Sequence, residues 1–179
     1  MTGISSGYAQ ALYSLAKEEN IAEQILEQLK TLDAAFSQEP DFLRLLATHD
    51  LSKDERCAIL DSSFRGKLHP YVLNFLKILT EKGYARSFGQ CVKAYRQQYN
   101  EDNGIVSVLA FSAVPLTDAQ QQKLRQKLET VTGKTVELRT RVDAACMGGV
   151  RLDYDGKRID GTVKSRLDAI RAQLNNTVL

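Results

Sequence analysis

The hydrophobic period of this chain changes once, at Asn103-Gly104, and that change limits its fold more than any other feature. Before it, apolar residues recur every three or four positions, the spacing of one helix face. Tyr8, Leu12 and Leu15 follow a Ser5-Ser6 start, with Ala9, Ala11 and Ala16 beside them. Ile21, Ile25, Leu29, Leu32 and Phe36 form a second stripe that ends near Pro40, and Phe42, Leu43, Leu45 and Leu46 suggest a short third helix. Ser52 and Glu55 have the spacing of a capping box, in which each side chain satisfies a free amide at the helix start. Cys57, Ile59, Leu60 and Phe64 follow, and Gly66 stops that helix. Pro70 suits the first turn of a fifth helix, where its missing N–H costs nothing. That helix carries Val72, Phe75, Leu76 and Leu79 and ends at Gly83; a sixth from near Ser87 carries Phe88, Cys91, Val92, Tyr95 and Tyr99. Short amphipathic helices cannot bury their stripes alone, so residues 1–104 predict an all-α six-helix bundle.

After the break, Ile105 to Phe111 is a run of strand-forming residues. Pro115 and Thr117 introduce a helix with Leu124, Leu128 and Val131, closed by Gly133, and Thr117 with Gln120 is a second capping-box pair. Val136, Leu138, Thr140 and Val142 alternate with the two-residue period of a half-buried strand. Val150 and Leu152 open another strand, Asp155-Gly156 offers a hairpin turn, and Ile159 lies on the return. A last helix from about Asp160 has Val163, Leu167, Ile170 and Leu174 on one stripe. The expected fold is therefore α+β overall, with residues 105–179 forming a small α+β domain after the helical one.

Charge excludes more than it suggests. The chain of 179 residues has formal net charge +2, which gives no global field for nucleic acid. Residues 1–104 carry 12 Lys+Arg and 14 Asp+Glu, and residues 105–179 carry 12 and 8, so the parts are −2 and +4. That asymmetry mildly favours an acidic partner for the second part. No apolar run is long enough to span a bilayer, and the start, MTGISSGYAQALYSLAKEEN, has no signal-peptide pattern, so a soluble, cytoplasm-facing protein is expected. Cys57, Cys91 and Cys146 are far apart and sit among apolar neighbours, as buried free thiols do. His49 and His69 are isolated from each other and from any cysteine, so no zinc site is expected.

Residues 147–167, MGGVRLDYDGKRIDGTVKSRL, gather the glycines and charges that could suggest chemistry. A P-loop needs a strand, spaced glycines, and then Lys before Ser or Thr at a helix start. Here Gly148-Gly149 precede a strand, Lys157 is followed by Arg158, and no GxGxxG occurs. Gly161-Thr162-Val163-Lys164 opens a helix, but Asp160 reads as its cap and would occupy the free amides. Asp155 reads as a turn residue and Asp153 as a solvated strand residue, with no histidine beside either. No catalytic, cofactor-binding or metal-binding residue can be nominated, and no cofactor is expected.

The broadest apolar coverage lies upstream. Tyr8, Ala9, Ala11, Leu12, Leu15 and Ala16 cover more of the first helix than one core-facing stripe needs, and YVLNFLKIL in the fifth is similarly broad. Either both helices are central to the bundle, or they form a groove for a partner helix.

Together these features resemble the delta subunit of bacterial F-type ATP synthases, whose mitochondrial counterpart is the oligomycin-sensitivity-conferring protein. The resemblance covers essentially the whole chain. Its most specific element is Gly148-Gly149-Val150 followed at the family spacing by Ile159-Asp160-Gly161-Thr162-Val163 and Leu167. The family commonly has Ser where Thr162 stands. Tyr8-Ala9-Gln10-Ala11-Leu12 resembles the family's YAxAL run, with Gly7 in place of a frequent Arg. The resemblance implies a non-catalytic stator subunit that ties the catalytic head to the peripheral stalk, so that the head does not co-rotate with the rotor during proton-driven synthesis. It implies that the N-terminal helix of an alpha subunit lies between the first and fifth helices. Tyr8, Ala11, Leu12 and Leu15 would line one wall, and Val72, Phe75, Leu76 and Leu79 the other. It implies b subunits as partners of the second domain, for which Val163, Leu167 and Ile170 are candidates. It further implies a peripheral location on the cytoplasmic side of the cell membrane, without membrane insertion, nucleic acid or homo-oligomer. A helical adaptor for some other helix is the alternative, and an enzyme the more distant one.

Overall fold

The computed structural model describes residues 2–48, 51–154, 156–163, 165 and 167. The chain divides into two compact units, Met1–Tyr99 and Asn100–Leu179. It is α+β, with a helical N-terminal part followed by a small sheet unit.

Among the described residues six α-helices precede the first strand, with a short 3-10 turn at Ala85–Ser87: α1 (Thr2–Glu18), α2 (Ala22–Gln38), α3 (Pro40–Leu46), α4 (Lys53–Phe64), α5 (Pro70–Glu81) and α6 (Phe88–Asp102). The α1 start differs from the expected one. Ser5 lies inside the helix and is buried, hydrogen-bonded to the Cys91 thiol, so it serves as a core contact and not as a cap. At α4 the capping box forms as read, with Glu55 N–H donating to Ser52 Oγ at 3.2 Å and Ser52 N–H to Glu55 Oε2 at 2.8 Å. Pro70 opens α5, and the His69 ring nitrogen accepts from the Tyr71 amide. Gly66 and Gly83 sit just past α4 and α5 at φ +78 and +75, where a side chain would be strained.

One apolar cluster fills this unit. Its largest fully buried members are Tyr95, Phe88, Ile25, Leu29, Leu46, Leu60, Leu79 and Val72. Phe36 is its aromatic hub, with ring centroids 5.2 Å from Phe88, 5.5 Å from Phe42 and 6.3 Å from Phe64. The Tyr95 hydroxyl escapes an unpaired burial by donating to Ala22 O at 3.0 Å. Arg56 is buried too. Its guanidinium donates to Leu46 O at 3.0 Å and Thr80 O at 3.4 Å, satisfying carbonyls near the ends of α3 and α5.

The second unit holds β1 (Ile105–Ser112), α7 (Asp118–Thr132), β2 (Thr135–Val142), β3 (Val150–Tyr154) and β4 (Lys157–Asp160). The sheet order is β2-β1-β3-β4, with β1 parallel to β2 and antiparallel to β3, and β3 antiparallel to β4. Thr117 and Gln120 close their capping box, and Gly133 ends α7 at φ +66. Val106, Val108 and Val136 are buried, with Leu128, Leu138, Leu152 and Tyr154 packed against them.

Two apolar positions depart from the expected pattern. Val131 is 84% exposed and Val142 53% exposed. Of the α7 stripe only Leu128 packs against the buried valines, with Leu124 half-buried, because the small sheet offers one helix only a short contact, and Val142 stands at the end of an edge strand. Gly156 takes φ +72 in the β3–β4 turn, whereas Asp155 lies outside the described residues. So do His49, Ile170 and Leu174.

Candidate functional site

The seam between α1 and α5 is fixed by two tyrosine contacts. The Tyr71 hydroxyl, at the start of α5, donates to the Glu19 carboxylate just past the end of α1. At the other end, the Tyr8 and Tyr84 rings lie 6.3 Å apart, Tyr84 following α5. Contacts between opposite ends mean that the two helices run antiparallel. The hydrogen bond to Glu19 pushes the Tyr71 phenol up, with burial and the charges of Glu19 and Glu18 adding to it.

The expected wall residues separate into two sets. Leu12, Val72, Phe75, Leu76 and Leu79 are at most 5% exposed and belong to the core, so they do not line an accessible groove. Their stripe faces the inside of the helical unit, where Phe88 meets Phe75 and Phe36 in turn meets Phe88. Ala11 is exposed, Tyr8 half-buried, and Leu15 49% exposed. The periodicity missed Ile78, which is 43% exposed on α5. It was hidden inside the apolar-rich run VLNFLKIL, where only a three-dimensional neighbour distinguishes core from flank. Tyr8, Ala11 and Leu15 at i, i+3 and i+7, and Tyr71 and Ile78 at i and i+7, thus give each helix an apolar stripe along the seam.

Residues 147–167 form a second feature, which is a backbone lock. The Gly161 amide donates to Val150 O at 3.1 Å and the Val163 amide to Gly148 O at 3.0 Å. Gly149 sits at φ +80, and a Cβ there would meet Gly161 O at 2.6 Å and Thr162 Cα at 3.0 Å. At Gly161 a Cβ would lie 3.1 Å from Val150 O. These glycines are needed for close backbone approach, not to cradle a phosphate. Asp160 is not the helix cap that its position suggested. Its Oδ1 accepts the Thr162 amide at 3.0 Å and hydroxyl at 2.6 Å, while Thr162 Oγ1 accepts the Ser165 amide at 3.2 Å. Thr162 therefore caps the helical turn that includes Val163, Ser165 and Leu167. The Thr162 hydrogen bonds hold the Asp160 carboxyl below its ordinary range.

Asp153 also differs from the solvated residue expected. Arg158 donates to its two oxygens at 3.0 and 3.4 Å. Arg151 lies over the Phe111 ring, 4.1 Å from its centroid. Val163 and Leu167 are 47% and 56% exposed, as are Met147 and Ile159 nearby in the chain at 73% and 51%. Cys91 and Cys146 are buried, but Cys57 is only partly so, because its thiol reaches the Glu81 carboxylate on α5. Burial first, then Glu81, pushes that thiol up, which disfavours the nucleophilic thiolate. Among the described residues no helix is long and apolar enough to cross a membrane.

The family described as "ATP synthase delta (OSCP) subunit" matches residues 4–174. A protein named ATP synthase subunit delta from Clostridioides difficile (strain 630) is 30% identical over 176 residues, covering 98% of this chain and 97% of that one. Its namesake from Alkaliphilus oremlandii (strain OhILAs) is 32% identical over 176 residues, covering 98% of each. Among solved structures, a chain of the Toxoplasma gondii mitochondrial ATP synthase hexamer superposes with TM-score 0.73 at 22% identity, covering 95% of this chain and 96% of that one. That likeness concerns the fold.

Proposed function

The chain belongs to the ATP synthase delta (OSCP) family, and from that membership we propose how it grips its neighbours. It is a non-catalytic, peripheral-stalk subunit of the F-type ATP synthase. We read residues 1–104 as a six-helix bundle that holds the N-terminal helix of an alpha subunit, and residues 105–179 as the part that meets the b subunits on the cytoplasmic side of the membrane. A rotor turning inside the head exerts torque on it, and an untied head would co-rotate and store no work. A tie must dissociate slowly, which burial of apolar helix faces supplies.

The observation that supports this reading is the exposed pair Leu15 and Ile78 on neighbouring helices. Tyr8, Ala11, Leu15, Tyr71 and Ile78 are the contact residues for the alpha-subunit helix, and Leu12, Val72, Phe75, Leu76 and Leu79 support them from the core. For the b subunits the contact residues are Val163 and Leu167, joined by Met147 and Ile159. Fully burying a leucine or isoleucine contributes about 1.5–3 kcal/mol, so these half-exposed side chains contribute about 1 kcal/mol each on docking. A buried carboxylate in the same place adds a desolvation penalty. Titrating the whole chain with a synthetic alpha-subunit N-terminal peptide from the same organism tests this. Leu15→Asp and Ile78→Asp should each weaken binding at least about tenfold while helical content stays unchanged. Failure of the folded wild-type protein to bind the peptide would sink the reading.

A further inference from the structure

We propose that Asn103 is a site of spontaneous covalent modification, deamidating to aspartyl and isoaspartyl forms through attack by the Gly104 backbone nitrogen. The pair forms the turn between α6 and β1, just inside the second compact unit.

The chemistry is an exchange of acyl partners. The Gly104 nitrogen, its proton lost to hydroxide, bonds to Asn103 Cγ. The Cγ–Nδ2 bond breaks, and the side-chain nitrogen leaves as ammonia with a proton from water. Water then opens the resulting succinimide ring. Cleavage at Cγ gives aspartate. Cleavage at the main-chain carbonyl gives isoaspartate, whose backbone runs through Cβ and is one methylene longer. In total one water is consumed and one ammonia released, with no change of oxidation state.

The structure favours this position over the others. Among the described asparagines only Asn103 precedes glycine, whereas Asn20 precedes Ile21, Asn74 precedes Phe75 and Asn100 precedes Glu101. A side chain on the following residue crowds the attacking nitrogen, and Asn74 and Asn100 are also held within α5 and α6. Asn103 is exposed, and nothing lies within 4 Å of where a Cβ would stand at Gly104, so base reaches the nitrogen and the ring has room to close. The Gly104 N–H is given to Glu101 O at 3.3 Å, long for such a bond, so its proton is weakly held. Asp160-Gly161 has the same spacing without the reactivity. Thr162 holds the Asp160 carboxyl below its ordinary range, so it stays an ionised, poor electrophile, and the Gly161 amide is committed to Val150 O at 3.1 Å.

Conversion disturbs the start of the sheet. Gly104 O accepts the Thr135 amide at 3.1 Å, and Ile105 stands opposite Thr135 at the first β1–β2 pair. The extra methylene of isoaspartate displaces that carbonyl. The new carboxylate also lies at the negative end of the α6 macrodipole, which opposes it.

The test ages the full-length folded chain at mildly alkaline pH and reads each asparagine by peptide mass spectrometry, with isoaspartate located by enzymatic methylation. Asn103 should convert while Asn20, Asn74 and Asn100 stay intact, within a few-fold of the rate in the urea-unfolded chain and in proportion to hydroxide. A folded chain that stays intact while the unfolded one converts would overturn the proposal. Asn103→Gln, which would need a larger ring, should leave the junction peptide unchanged, and conversion at the wild-type rate would refute attack by Gly104. In the purified isoaspartyl form the Thr135 amide should lose hydrogen-exchange protection, whereas Asn103→Asp, with the charge but no added methylene, should keep it. Unchanged protection in the isoaspartyl form would refute the disturbance of the strand start.

Discussion

Replacing Gly149 by alanine should destabilise the sheet unit by about 3 kcal/mol, and the reasoning can be followed term by term. Gly149 holds φ +80, a region that costs a residue with a Cβ about 1–2 kcal/mol. Alanine recovers a fraction of that by lowering the entropy of the unfolded chain. The new Cβ would then stand 2.6 Å from Gly161 O, and that atom is backbone, so it cannot swing aside as a side chain could. Separating them to ordinary contact moves the 160–163 segment away from 148–150. Two hydrogen bonds join those segments, Gly161 N–H to Val150 O and Val163 N–H to Gly148 O, each contributing about 1 kcal/mol. Gly156→Ala is the control, since Gly156 has φ +72 with nothing within 4 Å of its Cβ site, and should cost only about 1 kcal/mol. Urea unfolding read through the amide signals of β1 and β3 compares the variants without mixing in the helical unit. A loss in Gly149→Ala within about 0.5 kcal/mol of that in Gly156→Ala would show that close approach, as opposed to φ, is not what the glycine serves.

Leu76→Ala should cost the helical unit about 2–5 kcal/mol, since Leu76 is 3% exposed, whereas Leu15→Ala should stay within about 0.5 kcal/mol; thermal unfolding by circular dichroism separates them, and equal losses would contradict the division into core and seam. Asp160 supplies a pH prediction. Its folded carboxyl is held below the ordinary value of 3.8, so the stability it contributes is fully present above that value and lost as pH falls through the folded one. Asp160→Asn should remove that acid-side loss from the sheet unit, and a variant that keeps the same acid slope would refute the assignment.

How much was legible in the sequence depends on how local each interaction is. Ser52 with Glu55 and Thr117 with Gln120 are satisfied within one turn, so their spacing alone predicted bonds that the structure contains. Positive φ at Gly66, Gly83 and Gly133 is similarly a property of helix ends. The change of period at Asn103-Gly104 reflects the backbone repeat itself, and α6 ends at Asp102 with β1 beginning at Ile105. The residues of 147–167 carried the resemblance to the family, because a close backbone crossing tolerates few substitutions at Gly149 and Gly161.

Tertiary structure decided what those local rules leave free. Asp160 and Thr162 are both cap-forming residues two positions apart, and only the return of the chain onto Gly148 and Val150 determines which one meets the helical amides. Cys57 looked like a core thiol until α5 placed Glu81 beside it. Most of all, α1 and α5 are apolar over more of their circumference than one neighbour can cover. The sequence therefore determined that surface would be left over, but not which. Burial of Leu12 and Leu76 and exposure of Leu15 and Ile78 follow from where the neighbouring helices lie, because a side chain's burial depends on atoms supplied by distant segments and not on its own hydrophobicity.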